Sequence, residues 1–293
     1  MSFCYPHYAS DLTDEMLTMP AERLAELSRY PLRVFATKQD IYQWLARTLA
    51  DELKTNNAAG KPTVWILPVG PKDQYPLLAD ICNAEGISWK NLYAFHMDEY
   101  LDWQGRPVPV DHPFSFRGYC QRHIYDLLDP ALRPPADQIT FPSIYDIDGF
   151  SRRLAEVGGA DTVFGGFGHR GLFAFIETPS TRWHKVSVEE LAASKTRVVR
   201  LRDETIIALS QRMTGGDTQH IPPMAVTLGM ADVLGSKKIR LICDLGSWKQ
   251  YMLRVLLLTT ERDANLPVTL CHGHPDVEVI TDAASMEPLS LGL

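Results

Sequence analysis

The 293-residue sequence predicts a doubly wound α/β domain, a mainly parallel sheet with helices on both faces. Three observations carry that expectation. Short, continuously apolar runs alternate with segments of helical period, the pattern of strands linked by crossover helices. The runs lack the polar alternation of half-exposed strands, as befits a sheet covered on both sides. Polar or glycine-rich turns follow several runs, where such sheets keep their ligand sites.

Residues 1–30 are expected to form a helical extension packed outside, and 31–293 the α/β domain. "LRVFAT" (Leu32–Thr37) is the first strand candidate. In "TKQDIYQWLARTLADEL", Ile41, Trp44, Leu45 and Leu49 share a helical face and Thr37 suits the N-cap. "TNNAAGKP" reads as a turn before the strand "TVWIL" (Thr63–Leu67). "NLYAFHM" (Asn91–Met97), "DTVFGG" (Asp161–Gly166), "MAVTLG" (Met224–Gly229), "KIRLICD" (Lys238–Asp244), "PVTLC" (Pro267–Cys271) and "DVEVITD" (Asp276–Asp282) continue the strand series. The helix "KQYMLRVLLLT" follows the Gly246-Ser247 turn.

Composition narrows the function classes. Apolar residues make up 45% and charged residues 22% of the chain, an ordinary globular balance. A length near 300 buries about three-quarters of the surface its unfolded chain exposes, so no staples are needed. The formal net charge of −7 argues against a nucleic-acid or anionic-membrane binder, though not against a small anion held in a local basic pocket. Five cysteines without a CxxC pair read as reduced thiols, not a disulfide frame or zinc site. The exception to weigh is "CHGHP", where Cys271, His272 and His274 cluster; a strand end before a turn outweighs a metal reading, so no metal is expected. The N-terminal "MSFCYPHYASDLTDEM" shows no basic stretch leading into an apolar run, and no run approaches a membrane span. A cytoplasmic location is expected.

Four turns are expected to meet at one rim: "LPVGPKDQYP", "HMDEY", "GGFGHRG" and "LGSWK". In "HMDEY", Asp98 and Glu99 end a strand. Neighbours there point apart, so one carboxylate at most faces a substrate, where it can shuttle a proton beside a carbonyl; a solvated cap or ion pair is the alternative. "LGSWK" reads as strand, tight turn and helix start, with Lys249 beside unpaired N–H groups that favour a phosphate; a surface lysine fits equally. "SKTRVVRLR" adds Arg197, Arg200 and Arg202, as further phosphate contacts or a solvated basic face. "LPVGPKDQYP" sits where a phosphate loop would, with Gly70 and Lys72 as candidates, but it is poor in glycine and Pro71 removes a donor.

These blocks, together with "DHPFSFRGYC", "VFGGFGHRGLFAFIETP" and "VTLGMADVL", resemble the glucosamine-6-phosphate deaminase/isomerase family, related to the 6-phosphogluconolactonases. The resemblance runs from about Pro31 to the C-terminus. It implies a Rossmann-like fold, a sugar 6-phosphate ligand, no cofactor, and an assembly anywhere from monomer to homo-oligomer. It implies that Asp98 moves a proton between C2 and C1 of the open-chain sugar. It implies that Lys249 and Arg197 hold the phosphate, while the family's Thr-Gly-Gly-Thr loop is replaced by Val69-Gly70-Pro71-Lys72. In the family's Gly-x-Gly-x-Asp-Gly-His-x-Ala-Phe-Asn-Glu-Pro segment, Arg170 takes the aspartate position and Leu172 the histidine; Glu177 keeps the glutamate, which makes it a second catalytic candidate beside Asp98. Neither replacement carries a proton near neutral pH, so the family's ring-opening relay is interrupted. Arg170 is then a candidate to polarise a carbonyl or bind a second anionic group, and His169 a substitute proton carrier. The expectation is an isomerase/deaminase on a phosphorylated, optionally amino, sugar; a non-catalytic sugar-phosphate sensor and a lactonase are the alternatives.

Overall fold

A computed structural model describes residues 11–181 and 183–290. Seven strands form one wholly parallel sheet: β1 (Leu32–Phe35), β2 (Thr63–Leu67), β3 (Leu92–His96), β5 (Ile139–Thr140), β6 (Thr162–Gly166), β9 (Lys238–Cys243) and β10 (Val277–Asp282). Their order is β1-β10-β9-β6-β2-β3-β5. The remaining three, β4 (Asp98–Leu101), β7 (Arg197–Arg200) and β8 (Met224–Thr227), make a small antiparallel sheet in the order β4-β8-β7. The expected doubly wound, Rossmann-like architecture is therefore present.

Helices cover both faces of the large sheet because each central strand is apolar on both sides. In β2, Val64 and Ile66 pack into one core while Trp65 and Leu67 pack into the other. The second core is closed by α3 (Lys38–Ala58), α4 (Gln74–Glu85) and α5 (Phe116–Cys120), the last extended by a π-helical turn through Tyr125. The first is closed by α1 (Asp14–Thr18), α2 (Ala21–Glu26), α6 (Gly149–Glu156), α7 (Val188–Ala192), α9 (Met230–Leu234), α10 (Gln250–Leu258) and α11 (Ala283–Met286). α8 (Asp203–Met213) lies apart, over the small sheet and the aromatic cluster around Tyr100. Residues 1–10, the start of the expected extension and including Cys4, lie outside the described residues.

The later part of that extension is fastened to the sheet domain. Leu17 and Leu24 are buried in the first core. Arg254 of α10 is fully buried, and its guanidinium donates to the carbonyls of Met19, Met286 and Gln250 at 3.1, 3.1 and 3.3 Å. No carboxylate is among those partners; backbone dipoles from three chain segments solvate the cation.

Three local expectations need correction. Met224–Thr227 is a strand, but of the small antiparallel sheet and not of the parallel one. Its apolar run reports burial, which either sheet supplies. Pro267–Cys271 is a buried 3₁₀ turn, not a strand. Thr269 returns its hydroxyl to the Leu266 carbonyl, while the Val268 N–H donates to Gly171 O at 2.7 Å, so no ladder forms. Five apolar residues do not by themselves separate these outcomes. Finally, α3 continues through the expected "TNN" turn, where Asn56 and Asn57 donate to Thr63 Oγ1 and Ser88 O at 2.9 and 2.7 Å. Among the described residues no helix is long and apolar enough to cross a membrane.

The expected N-cap of α3 is present as a full capping box. The Asp40 N–H donates to Thr37 Oγ1 at 3.3 Å, and the Thr37 N–H to Asp40 Oδ2 at 3.0 Å. Thr37→Ala is expected to lower the unfolding free energy by about 1 kcal/mol, measured as a shifted urea midpoint at constant slope.

Candidate active site

The winding of the sheet reverses between β2 and β6: successive strands β2, β3 and β5 run outward one way, and β6, β9 and β10 the other. A crevice at the strand C-termini follows from that reversal. Here it is a cleft of about 440 Å³, and all four expected turns contribute to it. The loops after β2 and β6 nearly touch; a Cβ on Gly166 would lie 3.3 Å from Pro71 Cδ and 3.6 Å from Gly70 O.

Asp98 stands on the cleft wall because the chain changes sheets at Met97. β3 ends at His96, and β4 begins two residues later in the antiparallel sheet, with the Met97 carbonyl accepting from the Leu228 N–H at 2.8 Å. Within β4, Asp98 and Tyr100 share a face and both line the cleft. Glu99 points the other way and is fully buried. Its carboxylate accepts from the N–H groups of Tyr100, Phe116 and Arg117, each at 2.9 Å, and from Ser115 Oγ at 3.1 Å. Of the two acids, only Asp98 faces the cleft. Asp98 is 7% exposed, and no described residue hydrogen bonds to its carboxylate. Burial, with the Glu99 charge next to it, raises its pKa well above the ordinary aspartate value.

Lys249 lies at the start of α10 and lines the cleft from the β9 side. It is nearly buried, with Nζ 3.4 Å from Asp244 Oδ1 and 5.5 Å from the Phe167 ring centre. Asp244 is in turn held by the Tyr42 hydroxyl at 2.6 Å. Gly70, Lys72 and His169 complete the set of sequence candidates on the cleft; the Lys72 ammonium is 5.6 Å from the Tyr119 ring centre.

The remaining candidates lie elsewhere. Arg170 turns outward to Glu204 of α8, with Nη1 and Oε1 2.6 Å apart. Its neighbour His169 lines the cleft instead, edge-on to half-exposed Trp248 at 6.2 Å between ring centres. Burial, and then the Arg170 charge, lowers the His169 pKa, which keeps the imidazole neutral near pH 7. Leu172 separates the cleft from a small recess lined by Arg170, Glu177 and Arg202. Glu177 is 8% exposed and caps the start of α8: it accepts from the Arg202 N–H at 2.8 Å and from the Thr205 hydroxyl. Burial raises its pKa, opposed by those bonds. Arg197 lies behind it, donating to Glu177 O at 3.0 Å and Ser194 Oγ at 3.2 Å, and does not reach the cleft. The structure thus gathers Gly70, Lys72, Asp98, His169 and Lys249, puts Arg170 and Glu177 on the adjoining recess, and leaves Arg197 in neither.

Sequence reasoning missed Tyr100 and Arg212, both on the cleft. The first had a signal, since Asp98 and Tyr100 are two residues apart at a strand. Arg212, in the last turn of α8, had none. Of the Cys271 group, His272 bonds Tyr30 at 2.6 Å and His274 bonds Ser236 O at 2.8 Å. Among the described residues no three metal-ligating side chains are grouped to hold an ion.

A reversal-point cleft lined by a buried carboxylate and two lysines places this chain among Rossmann-like α/β proteins with a polar cavity at the strand C-termini. The relatives narrow this class. The chain is 29% identical over 267 residues to the glucosamine-6-phosphate deaminase of Cronobacter sakazakii, covering 87% of this chain and 91% of that one. It is 29% identical over 213 residues to that of Phocaeicola vulgatus, covering 70% and 74%. In fold it is similar to a monomeric glucosamine-6-phosphate deaminase, with a TM-score of 0.73 at 24% identity over 87% of this chain and 98% of that one. It is also similar to the 6-phosphogluconolactonase of Trypanosoma cruzi, with a TM-score of 0.64 at 16% identity over 89% and 97%. No family model matches the chain. The resemblance read from the motifs holds: curated homologues of this chain are named glucosamine-6-phosphate deaminase.

Two stability effects follow. Glu99→Ala orphans four donors and is expected to destabilise the fold by about 2–4 kcal/mol, measured by denaturant unfolding. Asp98→Asn is expected to raise the melting temperature. The folded pKa of Asp98 lies above its unfolded value, so its contribution is fully present below about pH 3.9 and is lost as pH rises towards the folded value. The advantage of the neutral amide should therefore grow with pH across that interval and then level off.

Proposed function

We propose that this chain is a sugar-phosphate isomerase/deaminase acting on a 6-phosphorylated sugar or amino sugar. The observation that supports it most is Asp98, a buried carboxylate that no described residue hydrogen bonds, facing a cleft whose other side carries Lys249. A perturbed, unpaired carboxylate in a cleft is what general-base catalysis requires. Homology to proteins named glucosamine-6-phosphate deaminase supports the same reading.

In this reading the phosphate docks at Lys249, with the Gly70-Pro71-Lys72 loop alongside. Lys249 is already paired with Asp244, so the phosphate shares the ammonium with that carboxylate and gains from Lys72 and the start of α10. Asp98 removes the proton from C2 of the open-chain sugar, giving an enediol or enolamine, and returns it to C1. The product is a ketose; where C2 carried nitrogen, water hydrolyses the C2 imine and ammonia leaves. A raised pKa strengthens the carboxylate as the base that takes the C2 proton, which the same group then carries to C1.

Ring opening needs another proton carrier, because Arg170 faces Glu204 and Leu172 has no titratable group. His169 takes that role in our reading, as a neutral imidazole on the cleft wall. Glu177 serves by fixing the start of α8, and the α/β unit from residue 31 onward carries the site. The ion-paired Arg170 and the apolar Leu172 also favour a second reading, a sugar-phosphate sensor that binds without turnover.

A panel of aldose and aldosamine 6-phosphates separates the two readings. Turnover is expected, with kcat lowered roughly 10²- to 10⁴-fold by Asp98→Asn. Lys249→Ala is expected to raise KM. Ligand-dependent thermal stabilisation without product would select the sensor, and turnover indifferent to Asp98→Asn would remove the assigned base. His169→Asn is expected to slow cyclic substrates more than open-chain ones, measured as separate progress curves.

A further inference from the structure

We propose that the cleft has a second anion-recognition point, formed by Tyr100 and Arg212, which selects sugar phosphates carrying another anionic group at the end remote from the 6-phosphate. The inference deepens the sugar-phosphate reading and rests on it.

The two ends of the cleft are separated by the sheet. Lys249 follows β9, whereas Asp98 and Tyr100 follow β3, three strand positions away, which is about 14 Å at the spacing of neighbouring strands. A phosphate held at Lys249 therefore leaves the opposite end of the ligand at the β4 wall. That wall carries Tyr100, whose side chain is fully buried among Phe114, Phe116 and Phe175, with ring centres at 6.1, 4.8 and 5.3 Å. Among the described residues its hydroxyl has no hydrogen-bond partner. A buried phenol without an acceptor is a standing cost that a ligand oxygen would relieve.

Arg212 supplies the charge. It projects from the last turn of α8 onto the same cleft, exposed, with no ion pair or hydrogen bond to any described residue. Its positive charge acts on the Tyr100 hydroxyl and opposes the effect of burial there. The other arginines near the site are engaged: Arg170 with Glu204, Arg202 with Thr178, and Arg197 with Glu177 O. A guanidinium and a phenol, both donors and both lacking acceptors, fit one anionic group such as a carboxylate or second phosphate. A neutral hydroxyl would satisfy the phenol and leave the guanidinium to water. The sequence assigned a second anion to Arg170; the geometry points to Arg212 instead.

Titration calorimetry of the full chain tests this with three probes: glucose 6-phosphate, 6-phosphogluconate and fructose 1,6-bisphosphate. Binding is read, not turnover, because a C1 carboxylate occupies the site without isomerising. At least one doubly anionic probe should bind roughly tenfold or more tightly than glucose 6-phosphate, about the worth of one charge-assisted contact. A gain for 6-phosphogluconate alone identifies a carboxylate, and for the bisphosphate alone a second phosphate. Arg212→Gln should abolish the gap. Tyr100→Phe should narrow it with no loss of melting temperature, since the hydroxyl it removes is unpaired. Lys72→Met should weaken all three probes together. Equal affinities in the unmodified protein, or a gap that survives Arg212→Gln, would overturn the inference while glucose 6-phosphate binding upheld the sugar-phosphate reading. Failure of all three probes to bind would overturn both.

Discussion

The candidate site depends on what happens at one buried carboxylate that faces away from the cleft. Glu99 gathers three backbone N–H groups and a hydroxyl from its own strand and the start of α5. Such a cluster pins the strand in one register and one rotation, because the alternative leaves an ionisable group and several donors buried without partners. With Glu99 pointing inward, the period of two turns Asp98 and Tyr100 to the opposite face. The acid assigned to chemistry can therefore be left without hydrogen bonds, since its neighbour supplies the anchoring. One acid is fixed so that the other can stay reactive.

The same division of labour recurs among the cations. Arg202 binds a carbonyl and a hydroxyl and Arg170 bridges to α8, so both line the recess beside Leu172, while Arg197 holds the Glu177 carbonyl from behind. Lys249 is held between Asp244 and the Phe167 ring. Its charge is aimed before any ligand arrives, which lessens the ordering needed on binding. A chain with formal charge −7 thus still turns two lysines and an arginine, alongside Asp98 and Asp244, onto one cavity.

Much of this was legible in the residues. The parallel sheet followed from runs such as "TVWIL", which are apolar at every position because two cores claim alternate side chains. The rim followed from four polar turns after strands. Less legible was the small antiparallel sheet: "DEYL" looks like a polar cap and "MAVT" like one more parallel strand, and only their mutual pairing shows otherwise. Direction within loops was also hidden. Position along the chain put Arg170 in place of a catalytic acid, whereas the tight turn closed by the Gly168 N–H to Leu172 O bond sends Arg170 outward and His169 inward. Arg212 could not be read at all, since a helix's last turn reveals its neighbours only after it has docked.

Arg254 gives the amino-terminal segment a meaning that its short helices alone would not. A cation sealed inside a protein is tolerable only while every dipole that solvates it stays in position. One of those dipoles belongs to Met19, another to the far end of the chain, and the arginine itself sits one turn along the helix that begins beside Lys249. Trimming the protein before Met19 is removed and trimming it just after are consequently different operations. The first removes packing such as that of Leu17; the second also strips solvation from a charge that braces the platform under the Lys249 end of the cleft.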